Sequence, residues 1–129
     1  MTDRFTTDDE VMKLCDVVRE TAFAIHEYLR SGHLEKVYEN ALVSRLRKQG
    51  VKVEQQIPLT VYDEDGTLIG SFVADLFIED VLVAEIKACK GLVDEHTAQL
   101  LGYLRAARMR HGVLINFGAA KFQMRKYAN

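Results

Sequence analysis

Two kinds of apolar spacing alternate along this chain, and the switches between them divide it into helices and strands. Val11, Leu14, Val18, Ile25 and Leu29 recur at helical intervals behind a Thr7-x-x-Glu10 capping box. They predict a first helix of about 20 residues that closes near Ser31-Gly32. Val37, Ala41, Leu42 and Leu46 keep that spacing and predict a second helix over 34–48, with Gly50 as its stop signal. The pattern then turns β-like. Val51 to Tyr62 reads as a strand whose Pro58, the sole proline, suits an edge or a bulge. Asp63-Glu-Asp-Gly66 reads as a turn, and Leu68 to Ile78 and Val81 to Ala88 as two further strands. Helical spacing returns over 93–109, and Gly112 to Phe117 forms a short final strand. Gly102 within the third helix predicts close packing there, because a helical glycine costs up to about 1 kcal/mol relative to alanine. The order ααβββαβ describes an α+β domain with a mixed sheet, its last strand joined through the third helix as a crossover.

This pattern raises a chemical question of its own. Val81 to Ala88 is aliphatic enough to be a buried strand, yet it carries Glu85 and Lys87. Burying them costs several kcal/mol unless they are paired or bind an ion. Asp75 on the preceding strand supplies a second acid. Two carboxylates and an ammonium converging at a sheet suit a metal-assisted attack on a phosphodiester, with the acids holding Mg²⁺ and the lysine orienting water. The competing reading is a structural Glu85–Lys87 salt bridge. The pleat separates useful from useless registers. A two-residue hairpin at Glu79-Asp80 pairs Asp75 with Ala84 and sends Glu85 to the opposite face. The acids meet only if the connection has an odd count or the ladder contains a bulge.

On the second helix, Glu35, Tyr38, Glu39 and Leu42 share one face. Glu35 either points with them or merely complements the helix dipole in the first turn. On the third helix, Gln99 and Tyr103 lie one turn apart. They either hydrogen-bond the sheet or position a phosphate or a water, and His96 reads as a surface or capping residue.

The 129 residues are expected to form one domain, 1–129, with a single core. The longest apolar runs are too short for a membrane span, and the acidic, polar N-terminus is the opposite of a signal peptide. Cys15 and Cys89 are isolated, with neither disulfide nor zinc spacing, and read as reduced thiols of a cytosolic protein. The net charge of −2 makes no case for a nucleic-acid partner, but its distribution is uneven. Residues 1–80 carry 9 basic and 16 acidic side chains, net −7; residues 81–129 carry 8 and 3, net +5. Arg105, Arg108, Arg110, Lys121, Arg125 and Lys126 could follow a phosphate backbone, although a solvated face and a charged tail explain them as well.

Taken together these residues resemble the PD-(D/E)xK nuclease superfamily, and within it the small bacterial GxxExxY proteins. Gly32-x-x-Glu35-x-x-Tyr38 is the naming motif, and Asp75 with Glu85-Ile-Lys87 stand where the superfamily has its acids and lysine. Gln99-x-x-x-Tyr103 is similar to the Q-x-x-x-Y element of the RecB-like and lambda-exonuclease branch, and Leu114-Ile-Asn-Phe-Gly118 to the last-strand segment of the GxxExxY proteins. Ala74 departs from the proline in the superfamily's name. The resemblance implies a restriction-endonuclease-like αβββαβ core with an extra N-terminal helix. It implies a metal-dependent nuclease, a hydrolase acting on nucleic acid, with DNA favoured over RNA, in the cytoplasm. Asp75, Glu85 and Glu35, with the carbonyl of Ile86, would hold Mg²⁺ or Mn²⁺. Asp75, Glu85, Lys87 and Glu35 would be catalytic, and Gln99, Tyr103 and Tyr38 would bind substrate or support the site. A chain this small would wrap duplex poorly alone, so a homo-oligomer is expected. The alternative is a nuclease fold without catalysis that serves nucleic-acid binding or self-assembly.

Overall fold

Thr7 caps the first helix as its sequence predicts: its Oγ1 accepts the Glu10 amide at 3.1 Å, and α1 runs from Asp8 to Leu29. This is a computed structural model, and it describes residues 7–129, so the first six residues of the acidic leading stretch lie outside it. The stripe Val11, Leu14, Val18, Ala22 and Ile25 is buried, and each of its larger side chains contributes about 1.5–3 kcal/mol. α1 ends where Arg30 and Gly32 take left-handed backbone, at φ 60 and φ 113. α2, Glu35–Lys48, packs beside it and stops ahead of Gly50, at φ 80.

Five strands follow: β1 (Val53–Tyr62), β2 (Leu68–Ile78), β3 (Leu82–Lys87), β4 (His111–Asn116) and β5 (Gln123–Ala128). They lie in the sheet in chain order. β1, β2 and β3 form an antiparallel meander, α3 (Asp94–Ala106) carries the chain over to a parallel β4, and β5 returns antiparallel. The mixed sheet and the expected order are therefore present, with one strand more than the sequence announced. β1 is an edge, which accommodates Pro58. Leu76, Ile78, Leu82, Ala84 and Ile86 pack with α1 and α2 on one face; Val83, Leu114 and Ala74 pack with Leu100 and Leu104 of α3 on the other.

Two expectations need correction. The C-terminal residues form β5, where only Met124 is buried and Arg125 is exposed; one anchoring side chain among charges hides the alternation. Gly102 is not a contact point, since a Cβ there would meet nothing within 4 Å. The close approach of α3 to the sheet falls at Gly112, where a Cβ would lie 2.9 Å from Leu104 Cδ1.

Candidate active site

The β2–β3 connection decides whether the acids meet. Ile78 pairs with Leu82, so three residues, 79–81, make the turn, with Glu79 at φ 51 and Asp80 at φ 57. Leu76 pairs with Ala84, and one step further Asp75 stands across from Glu85. The odd-count demand is met. The paired ladder ends at Leu76, and beyond it carboxylates take over the main-chain amides. Asp75 Oδ2 accepts the Ile86 N–H at 2.8 Å, and Glu85 Oε2 accepts the Asp75 N–H at 3.4 Å.

Glu85 is 8% exposed. Burial first, then the hydrogen bond to Asp75 and the charge of Asp75, push its carboxyl up to about 8, while the Asp75 amide and Lys87 pull weakly the other way. Lys87, half-buried at the end of β3, makes no ion pair with Glu85 among the described residues. The structural bridge is thus not formed. What exists is a carboxyl pair in which Glu85 keeps its proton at neutral pH, beside an ammonium with no ion pair among the described residues.

The helix residues divide. Glu35 is exposed at the first position of α2, and no hydrogen bond or ion pair ties it to either acid. Among the described residues no three His, Cys, Asp or Glu side chains converge on one point, so the structure does not bring Glu35 to the pair. Tyr38 is fully buried. Its hydroxyl donates to the Arg30 carbonyl and accepts the His33 N–H, and its ring stacks on Phe117 at 4.7 Å. It pins the α1–α2 connection and has no surface left for substrate. Gln99 Nε2 donates to Tyr103 Oη at 2.8 Å, and the Tyr103 ring lies on Phe72 of β2 at 4.0 Å. His96 is a cap: its Nδ1 accepts the Val93 N–H.

A sequence profile of the PD-(D/E)XK nuclease superfamily matches residues 12–127. The chain belongs to the PD-(D/E)XK nuclease superfamily. Among solved structures it is similar to the one titled "Crystal structure of SSO0001", with a TM-score of 0.59 at 19% identity. That alignment covers 73% of this chain and 49% of the other, so the chain spans about half of its length. No curated protein matches the chain. No helix among the described residues is long and apolar enough to cross a membrane.

In this PD-(D/E)XK chain Ala74 stands where the superfamily name has proline, fully buried against the α3 side of the sheet. Two buried polar residues, Glu39 and Asn116, were given no role by the sequence. Glu39, one turn beyond Glu35, is 3% exposed and accepts from Lys36, Gln55 and Gln56. The adjacent glutamines Gln55 and Gln56 in β1 were the available signal. Asn116, across from Lys87 in the parallel ladder, is fully buried. Its Oδ1 accepts the Cys89 and Gly118 N–H groups, and its Nδ2 donates to the Cys89 carbonyl and Gln123 Oε1. It fixes the chain leaving β3, and a Cβ at Gly118 would lie 2.3 Å from that backbone. Both cysteines are free thiols. Of the basic side chains, Arg110 is bound to Asp8 and Lys126 to His111 and Tyr127, whereas Arg105, Arg108, Lys121 and Arg125 are exposed.

Proposed function

We propose that this chain is a metal-dependent phosphodiesterase that hydrolyses nucleic acid, with DNA as its substrate. The observation that supports it most is the Asp75–Glu85 pair itself. A buried Glu85 carboxyl set against the half-buried carboxylate of Asp75 at the end of a ladder is costly for a fold and suited to a hard divalent cation. The oxygen donor set fits Mg²⁺ or Mn²⁺, which Asp75 and Glu85 would hold together with the Ile86 carbonyl. Such an ion supplies neutralisation of phosphoryl charge. The chain's own groups do the remainder. Glu85 would have to be ionised to hold the cation, so metal affinity would rise with pH toward 8 as its proton passes to solvent. Lys87, with no salt bridge among the described residues, donates to the attacking water or to a phosphate oxygen. The Tyr103–Gln99 pair borders strand β2 from α3 and contacts substrate, and the exposed arginines steer it.

The Gly32-x-x-Glu35-x-x-Tyr38 motif supports membership of the GxxExxY proteins, with Gln99 and Tyr103 supporting the RecB-like branch. In this reading Glu35 has lost its place at the ion, and the protein works in the cytoplasm as a homo-oligomer. The test is a cleavage assay on single- and double-stranded DNA and RNA, with Mg²⁺, Mn²⁺ or EDTA, beside Lys87→Ala. Metal-dependent cleavage of DNA that Lys87→Ala abolishes is expected. Equal activity in the two proteins, or none in wild type, overturns the reading.

A further inference from the structure

Gln55 and Gln56 are successive residues of β1, yet both side chains donate to one carboxylate: Gln55 Nε2 to Glu39 Oε2 at 2.8 Å and Gln56 Nε2 to Glu39 Oε1 at 3.0 Å. A regular pleat sends successive side chains to opposite faces. The exception is possible because Gln56 takes left-handed backbone, at φ 53, a region that a residue with a Cβ occupies only when its surroundings hold it there. Its place in the sheet is informative. Gln55 pairs with Leu76 and Ile57 with Ala74, so Gln56 stands across from Asp75, which in turn stands across from Glu85.

The faces of both strands change over at this row. Val53, Leu76 and Ile78 pack toward α1 and α2, whereas Leu59, Phe72 and Ala74, of the same parity, pack toward α3. Asp75 sits at the reversal, and its carboxylate turns across to β3, where it takes the Ile86 amide. Glu39 is buried, and both of its oxygens are engaged by three donors, Lys36, Gln55 and Gln56.

We propose that Glu39 is a positioning residue: by holding Gln56 in the left-handed conformation it fixes the pleat reversal that turns Asp75 toward Glu85. It acts through the backbone of β1 and not on the substrate or the ion. The inference rests on the reading of Asp75 and Glu85 as the metal site.

Glycine adopts left-handed backbone without penalty, and alanine does not. Gln56→Gly and Gln56→Ala both remove the bond to Glu39, so they separate the conformation from the contact. Three readouts apply: amide hydrogen exchange at Ile86 in the metal-free protein, Mn²⁺ affinity by calorimetry, and DNA cleavage. For Gln56→Ala the account expects rapid exchange at Ile86 and Mn²⁺ affinity weakened about tenfold or more. For Gln56→Gly all three stay within about threefold of wild type, because the needed φ is permitted. Glu39→Ala is impaired like Gln56→Ala, and adding Gln56→Gly to it restores both Mn²⁺ affinity and Ile86 protection. Equal behaviour of Gln56→Ala and Gln56→Gly, or no rescue of Glu39→Ala by glycine, overturns the proposal. Ile86 exchange needs neither metal nor activity. A wild type that binds no Mn²⁺ therefore overturns the metal-site reading alone, while the exchange pattern still decides whether Glu39 positions Asp75.

Discussion

Asn116 and the Asp75–Glu85 pair are both polar intrusions into the same sheet, and they are built on opposite principles. Asn116 has two acceptor positions and two N–H groups in use, each matched by a main-chain group or by Gln123. Among the described residues no buried side-chain nitrogen or oxygen lacks a partner. The acid pair satisfies its hydrogen bonds too, but only by setting the buried Glu85 carboxyl beside the half-buried carboxylate of Asp75, whose charge opposes ionisation of Glu85. A satisfied cluster of neutral groups specifies structure; a carboxyl pair in which one charge suppresses the other is suited to a cation. Both serve the same strand end, since Asn116 anchors the backbone just beyond Lys87 and the pair stands just before it.

The largest expected effect tests the division of labour. Asp75→Asn and Lys87→Ala should each lower metal-dependent cleavage by about a thousandfold or more, with melting temperatures in EDTA no lower than wild type for Asp75→Asn. Steady-state cleavage beside thermal melts checks this; parallel loss of fold and activity would place the acids with Asn116. Next in size, Asn116→Ala strands the Cys89 and Gly118 amides and the Cys89 carbonyl. We expect it to cost about 3 kcal/mol or more in urea unfolding.

A smaller effect carries a sign that distinguishes the two clusters. Glu85 holds its proton to about pH 8 when folded, against 4.5 as the ordinary value. Between these limits the folded chain binds a proton that the unfolded chain has released. Stability from this group is therefore fully present below about pH 4.5 and is lost as pH rises through 8. Glu85→Gln should remove that decline and stabilise the metal-free protein at pH 8 by on the order of 1–2 kcal/mol. Melts from pH 5 to 8.5 decide it, and destabilisation by Glu85→Gln would contradict it. Smallest, Tyr38→Phe should cost about 1 kcal/mol and leave cleavage within a few-fold, since that hydroxyl only holds the Arg30–His33 loop.

Much of this architecture was legible because it rests on local signals. The Thr7 cap, the stripe of α1, the turn glycines and the aliphatic β3 each state their element within a few residues. The odd-count connection followed from asking how Asp75 and Glu85 could share a face. Three things were not legible, each for a long-range reason. β5 has one buried anchor and is formed by pairing with β4. Glu39 outranks Glu35 because β1, distant in sequence, brings Gln55 and Gln56 to it. Asn116 gains its meaning only from the loop after Lys87, which the parallel β3–β4 ladder brings alongside.

An acid pair built for a divalent cation should show itself in thermal melting. Wild type and Asp75→Asn are compared in EDTA, Mg²⁺ and Mn²⁺ at pH 7.5. An ion that binds the folded chain alone stabilises it by about 2.7 kcal/mol at a hundredfold excess over its dissociation constant. Wild type is expected to gain this and Asp75→Asn to lose most of it. Identical curves for wild type across millimolar metal would contradict it.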